Sequence, residues 1–167
     1  MEIDTKTIQR VRDALLERGR AVSGVEGEEA TDAPVAFGQD LLERFTPFAE
    51  IMFLVAMVDG HEDPAELDAL CGAMQMLTAD QIPRQALTDI HQRCRHDLSQ
   101  LGVQRHLEKI GLQLASDRMD RETAFTLAAA VALADDHVHG AERELMSEIA
   151  EYLGISNKAA RALLSDL

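Results

Sequence analysis

Apolar positions along this chain recur at helical spacing almost from end to end. In residues 3–20, Ile8, Val11 and Leu15 share one face with Arg and Asp between them, which predicts an amphipathic helix. After Pro34, residues 36–45 carry Phe37, Leu41, Leu42 and Phe45 on a short helix. Thr46-Pro47 then reads as an N-cap with Pro in the first turn of a new helix. That next stretch, FAEIMFLVAMV (48–58), is apolar nearly all round, the pattern of a helix buried on most sides. Asp63-Pro64-Ala65-Glu66 restarts the chain with a cap, a Pro and an acid at the third position, followed by Leu67, Leu70, Met74 and Leu77 on one face. Residues 84–101 place Leu87, Ile90, Cys94, Leu98 and Leu101 at helical spacing, and Gly102 breaks the run. Val103, Leu107, Ile110 and Leu114 define another helix, and Asp117 to Asp120 form the next joint. AFTLAAAVALA (124–134) is the second stretch apolar almost all round, with alanines that allow a partner helix, expected to be 48–58, to approach closely. A helix from Glu142 to Leu153, a turn at Gly154 and a Ser156-capped helix to Leu164 complete the chain. The expectation is an all-α, single-domain bundle of about eight helices.

Two of these stretches are one pattern written twice. LVAMVDGHEDPAELDALC (54–71) and AVALADDHVHGAERELMS (130–147) align with Val55 on Val131, Ala56 on Ala132, Asp59 on Asp135, His61 on His137 and Glu66 on Glu142. Each is an apolar run that stops at an Asp, turns over small or polar residues and restarts with a Glu. Self-similarity of this kind predicts two supersecondary units packed face to face, with cores at 48–77 and 124–153. Outside them lie an N-terminal helix (1–22) and the acidic segment SGVEGEEATDAP (23–34), which reads as a loop. Residues 35–167 make up the helical domain proper.

Composition changes the picture in three ways. Trp is absent and aromatic residues are 4% of the chain, so Leu, Ala, Met, Ile and Val must fill the core. Helix formers dominate, and no Asn-Gly or Asp-Gly pair is flanked by alternating residues as a hairpin requires. The net charge of −14 repels phosphate backbones and anionic lipid, which disfavours nucleic acid and leaves cations and basic protein surfaces as partners. Cys71 and Cys94 have no metal-type spacing and sit on apolar faces, so both are expected reduced and buried. The N-terminus lacks the basic start and apolar stretch of a signal peptide, and no run approaches a membrane span. A cytoplasmic protein is expected.

The repeated VAMVDGHEDPAELDAL and AVALADDHVHGAERELMSEIAEYLGIS resemble the tellurite-resistance TerB-like family, whose hallmark is an apolar helix ending in Ala-x-Ala-Asp-Gly, a polar turn and a Glu-opened helix. The resemblance covers residues 40–167. It implies an all-helical fold with internal two-fold pseudosymmetry and an acidic cluster, proposed to bind metal, where the two turns meet. On this chain the implied ligands are Asp59, Glu66, Asp135 and Glu142. The resemblance further implies a role in tellurite resistance and wider stress responses. One departure is Asp136, which replaces the glycine of the second Asp-Gly and adds a carboxylate.

Two readings of these acids stand side by side. Converging carboxylates suit a hard divalent cation such as Ca²⁺, and the neighbours Asp63, Asp136, His61, His137 and His139 extend the choice to Mn²⁺ or Zn²⁺. Equally, Glu66 is a capping-box residue, and acids are favoured at helix N-termini by the dipole. An EF-hand is excluded, because Leu70 and Met146 stand where its bidentate Glu belongs. No HExxH, phosphate loop or nucleophile motif is present, and His91, His96 and His106 read as surface or half-buried histidines. The expected function is non-enzymatic: a divalent-cation-binding module acting through protein contacts. The alternative is a metal-independent acidic interaction module; a metal-assisted hydrolase would need an open cleft of which the sequence gives no sign.

Overall fold

The computed structural model describes residues 3–23, 34–58, 64–134, 140–165 and 167, with side chains for 3–15, 40–58, 64–134, 144–165 and 167. These residues form seven helices and no strand: α1 (Thr5–Ser23), α2 (Pro34–Met57), α3 (Pro64–Leu77), α4 (Arg84–Gln113), α5 (Arg118–Ala132), α6 (Gly140–Tyr152) and α7 (Asn157–Ser165). The acidic segment 24–33 lies outside the described residues, as do both polar turns, 59–63 and 135–139.

Helix starts follow local chemistry. Asp4 accepts from the backbone of Lys6 and Thr7 and from the Thr7 hydroxyl, capping α1. Pro64 opens α3 with Glu66 in its first turn, as the sequence predicts. Asp117 caps α5 by accepting from the Met119 and Asp120 amides, and Ser156 accepts from Ala159 to cap α7. The turn at Gly154 is equally local: its φ is 64°, its N–H reaches the Glu151 carbonyl, and Ile155 N–H reaches Ala150, closing α6 with a Schellman pair.

Pro47 is the first correction. It does not start a helix but lies inside α2, which runs unbroken from Pro34 to Met57. The Thr46 hydroxyl turns back to the Leu42 carbonyl at 2.7 Å instead of capping a new start. Interior Pro costs a helix about 3 kcal/mol, whereas each fully buried large apolar side chain contributes about 1.5–3 kcal/mol. Phe45 and Phe48 on either side of Pro47 are buried and meet edge to face at 5.7 Å, and Ile51, Met52 and Phe53 follow with no exposure. Burial on both sides of the proline outweighs its penalty.

Gly102 does break the chain as expected, but more sharply than the bounds of α4 suggest. Its φ of 79° and ψ of 168° lie in a region open essentially to glycine alone. Twelve residues of straight helix span about 18 Å. Yet Cys94 Sγ and His106 Nε2, twelve positions apart, lie 3.4 Å from each other. The arms 84–101 and 103–113 therefore fold back on one another at an elbow. Leu101, expected on the buried stripe, sits at that elbow and is 52% exposed.

α2 is the centre of the molecule, packed chiefly against α4 and α5, with α3 beside it. The alanine-rich α5 meets it as anticipated, burying Ala124, Phe125, Leu127, Ala128 and Val131. α6 packs on α5 and α4, and α7 on α5. One apolar cluster runs through all of them and takes in Ile8 and Leu15 of α1. α6 comes so close to α4 that a Cβ on Gly111 would stand 2.6 Å from the Tyr152 carbonyl oxygen.

Candidate functional site

Within the apolar run of α2, one charge is folded inward. Glu50 is 3% exposed, a burial that carboxylates sustain only with a partner. Its partner comes from the far arm of α4. Lys109 Nζ donates to Glu50 Oε1 at 3.3 Å and to Asp97 Oδ2, on the near arm, at 3.2 Å. One ammonium thus ties α2 to both sides of the Gly102 elbow. The other carboxylate oxygen, Glu50 Oε2, has no hydrogen-bond partner among the described residues and stands 3.8 Å from His106 Nε2. The Cys94 thiol lies against that same nitrogen and 3.7 Å from the Glu50 carbonyl.

Electrostatics follow from this burial. Desolvation, reinforced by the negative charges of Glu50 and Asp97, pushes the Cys94 thiol up to about 12, so the sulfur stays protonated. Burial also lowers His106, against the pull of the Glu50 carboxylate, which keeps the imidazole neutral near pH 7. Lys109 moves the other way: burial opposes its charge, but Glu50 and Asp97 outweigh it and its pKa rises. The cluster is not a nucleophilic triad. Thiol and carboxylate converge on one ring nitrogen, while His106 Nδ1 has no hydrogen-bond partner among the described residues. Its geometry is that of a clasp.

His106 is the second correction: it has no exposure at all, where a surface or half-buried position is expected from sequence. His91 is half-buried with its ring edge-on to Phe53 at 5.1 Å, and His96 is exposed, both as expected. Cys71 and Cys94 are free and buried, also as expected. The signal for Glu50 was present, since a lone acid in an apolar run must find a partner. Nothing local pointed to Lys109.

The acidic turns are only partly in view. Asp59, Asp135, His61, Asp63, Asp136, His137 and His139 lie outside the described residues, as does the side chain of Glu142. Glu66 is described: a half-buried carboxylate in the first turn of α3, an oxygen donor of the kind a hard cation takes. Among the described residues, no three His, Cys, Asp or Glu side chains are grouped to hold a metal ion. A groove of about 540 Å³ opens at the end of α2. It runs between the Gly102 elbow, Val58 at the end of α2, and Glu144 and Glu148 on α6. Among the described residues no helix is long and apolar enough to cross a membrane.

Compared with known families, residues 46–164 match the one described as Tellurite resistance protein TerB. No curated protein and no solved structure matches the chain.

Proposed function

Since this chain belongs to the tellurite resistance protein TerB family, and so to proteins with a tellurite-resistance-associated function, we propose that it serves that function as a cytoplasmic, non-enzymatic cation-binding module acting through protein contacts. Asp59, Glu66, Asp135 and Glu142 hold a divalent ion through carboxylate oxygens, with Asp63, Asp136, His61, His137 and His139 as further donors. The bound ion supplies the positive charge that lets these acids approach one another. The carboxylates in turn tie the α2–α3 junction to the α5–α6 junction, joining the two repeats and fixing the surface between them.

The observation that carries this reading is the groove. Val58, the residue before Asp59, and Glu144, two residues beyond Glu142, line the same groove. The end of α2 and the helix that the second repeat's Glu opens are therefore neighbours, which supports the reading. Calorimetric titration of chelator-treated protein with Ca²⁺, Mn²⁺ and Zn²⁺ tests it. Saturable binding that disappears in a folded Asp59→Asn/Asp135→Asn variant is expected; an unchanged heat in that variant would rule the carboxylate site out.

The second reading, a metal-independent acidic interaction module, is favoured by the position of Glu66. A carboxylate in the first turn of a helix is stabilised by the helix dipole without any ion. Partner binding that persists in chelator and weakens with salt is its signature.

A further inference from the structure

We infer that the groove at the Gly102 elbow is a docking site for a basic amphipathic helix of a partner protein. This names the surface and partner chemistry of the protein-contact reading and rests on it. Three observations combine. The floor is apolar: Val58, Val103 and Leu145 line it, and Leu101 on its rim is 52% exposed although leucine gains by burial. The elbow leaves the space open, because Gly102 has no side chain and a Cβ placed there would meet nothing among the described residues within 4 Å. The α6 wall is acidic: Glu144 and Glu148 are four residues apart, about 6 Å along the helix, so both stand on the groove side.

Charge complementarity selects the occupant. A helix lying along α6 presents its own residues at the same pitch, so Lys or Arg spaced four apart meets Glu144 and Glu148 in register. Its apolar face then covers Leu101 and the floor. A groove of about 540 Å³ takes a few large side chains, which fits the anchor residues of one helix rather than a broad interface. Among the described residues that line the groove, Arg105, on the elbow, is the basic one. It disfavours a partner that is basic all round and favours one whose cations are confined to a stripe. The chain's net charge of −14 brings such a helix in; the groove sets where it seats.

The experiment is a fluorescence-anisotropy titration of the full-length protein, in chelator and at physiological ionic strength. The probe is a labelled synthetic peptide with Leu on one helical face and Lys pairs four apart beside it. A peptide of the same composition with the spacing scrambled is the reference. The amphipathic peptide is expected to bind about tenfold more tightly than the scrambled one. Leu101→Asp and Glu144→Lys/Glu148→Lys are each expected to weaken it by about tenfold, whereas Asp13→Lys/Asp89→Lys, an equal charge change on exposed sites outside the groove, changes it less than about threefold. Circular dichroism confirms that each variant is folded. Equal losses in the two charge-reversal pairs would overturn the groove while leaving an acidic contact surface standing. No measurable binding of either peptide would overturn both.

Discussion

Glu50 and Lys109 stand fifty-nine positions apart in the chain and meet at 3.3 Å, carboxylate oxygen to ammonium, with the acid buried and the lysine side chain 42% exposed. The asymmetry decides what the pair is worth. Water can replace part of what Lys109 loses but almost none of what Glu50 loses.

Lys109→Met is therefore expected to destabilise the protein by about 1–3 kcal/mol, toward the lower side of buried ion pairs because the lysine is partly solvated. Glu50→Leu added to that variant removes the stranded carboxylate and is expected to recover most of the loss. Urea unfolding of the single and double variants measures both. Equal stability of Lys109→Met and the parent would mean that water reaches Glu50.

His106 gives the fold an acid sensitivity of definite sign. Burial lowers its pKa in the folded protein, so the unfolded chain takes up its proton first as pH falls. Stability is then complete above the ordinary histidine value of about 6.5 and declines below it, with a slope of at most about 1.4 kcal/mol per pH unit until the folded-state pKa is reached. Unfolding midpoints across this range should show the decline in the parent and a shallower one in His106→Gln.

Two helical glycines should respond oppositely to the same substitution. A Cβ at Gly72, in α3, would meet nothing within 4 Å, so Gly72→Ala is expected to stabilise by about 0.5–1 kcal/mol through helix propensity and the unfolded chain's lost freedom. At Gly111 the Cβ would press on the Tyr152 carbonyl, a backbone atom that moves only with α6. Gly111→Ala is expected to cost about 1–3 kcal/mol despite the better propensity. Thermal unfolding of the two variants checks the contrast.

Neither cysteine should be reactive in the folded protein. Both are buried, Cys94 is pushed up to about 12, and burial raises Cys71 as well. Thiol-reactive dyes are expected to label both only on unfolding, at a rate set by opening of the fold. Rapid labelling of Cys94 in native buffer would contradict the clasp geometry.

Where the sequence carried a local signal, the fold was legible. Pro64 and Glu66 marked the start of α3, Ser156 the cap of α7, and the all-round apolar runs the two central helices. Gly102 marked the break in α4 because no other residue takes its φ and ψ at low cost. Pro47 misled because its penalty is local while the burial that offsets it is tertiary. The clasp was out of reach for the same reason: helical periodicity placed Glu50 in a buried stretch but carried no trace of a partner on another helix. Of the acidic site, the repeat supplied candidate ligands, and only Glu66 among the four has a described side chain.

The elbow at Gly102 also bears on how the molecule comes together. Its arms touch directly through Cys94 and His106 and through Lys109 and Asp97, and Glu50 of α2, forty-four positions before Cys94, joins both contacts. The reversal of α4 and the seating of α2 therefore share one set of contacts, so loss of either is expected to loosen the other. A chain shortened from its N-terminus past α2 would keep the contacts between the arms but lose Glu50 and the helix that α4 packs on. The bend thus joins, at one buried point, parts of the chain that lie far apart in sequence.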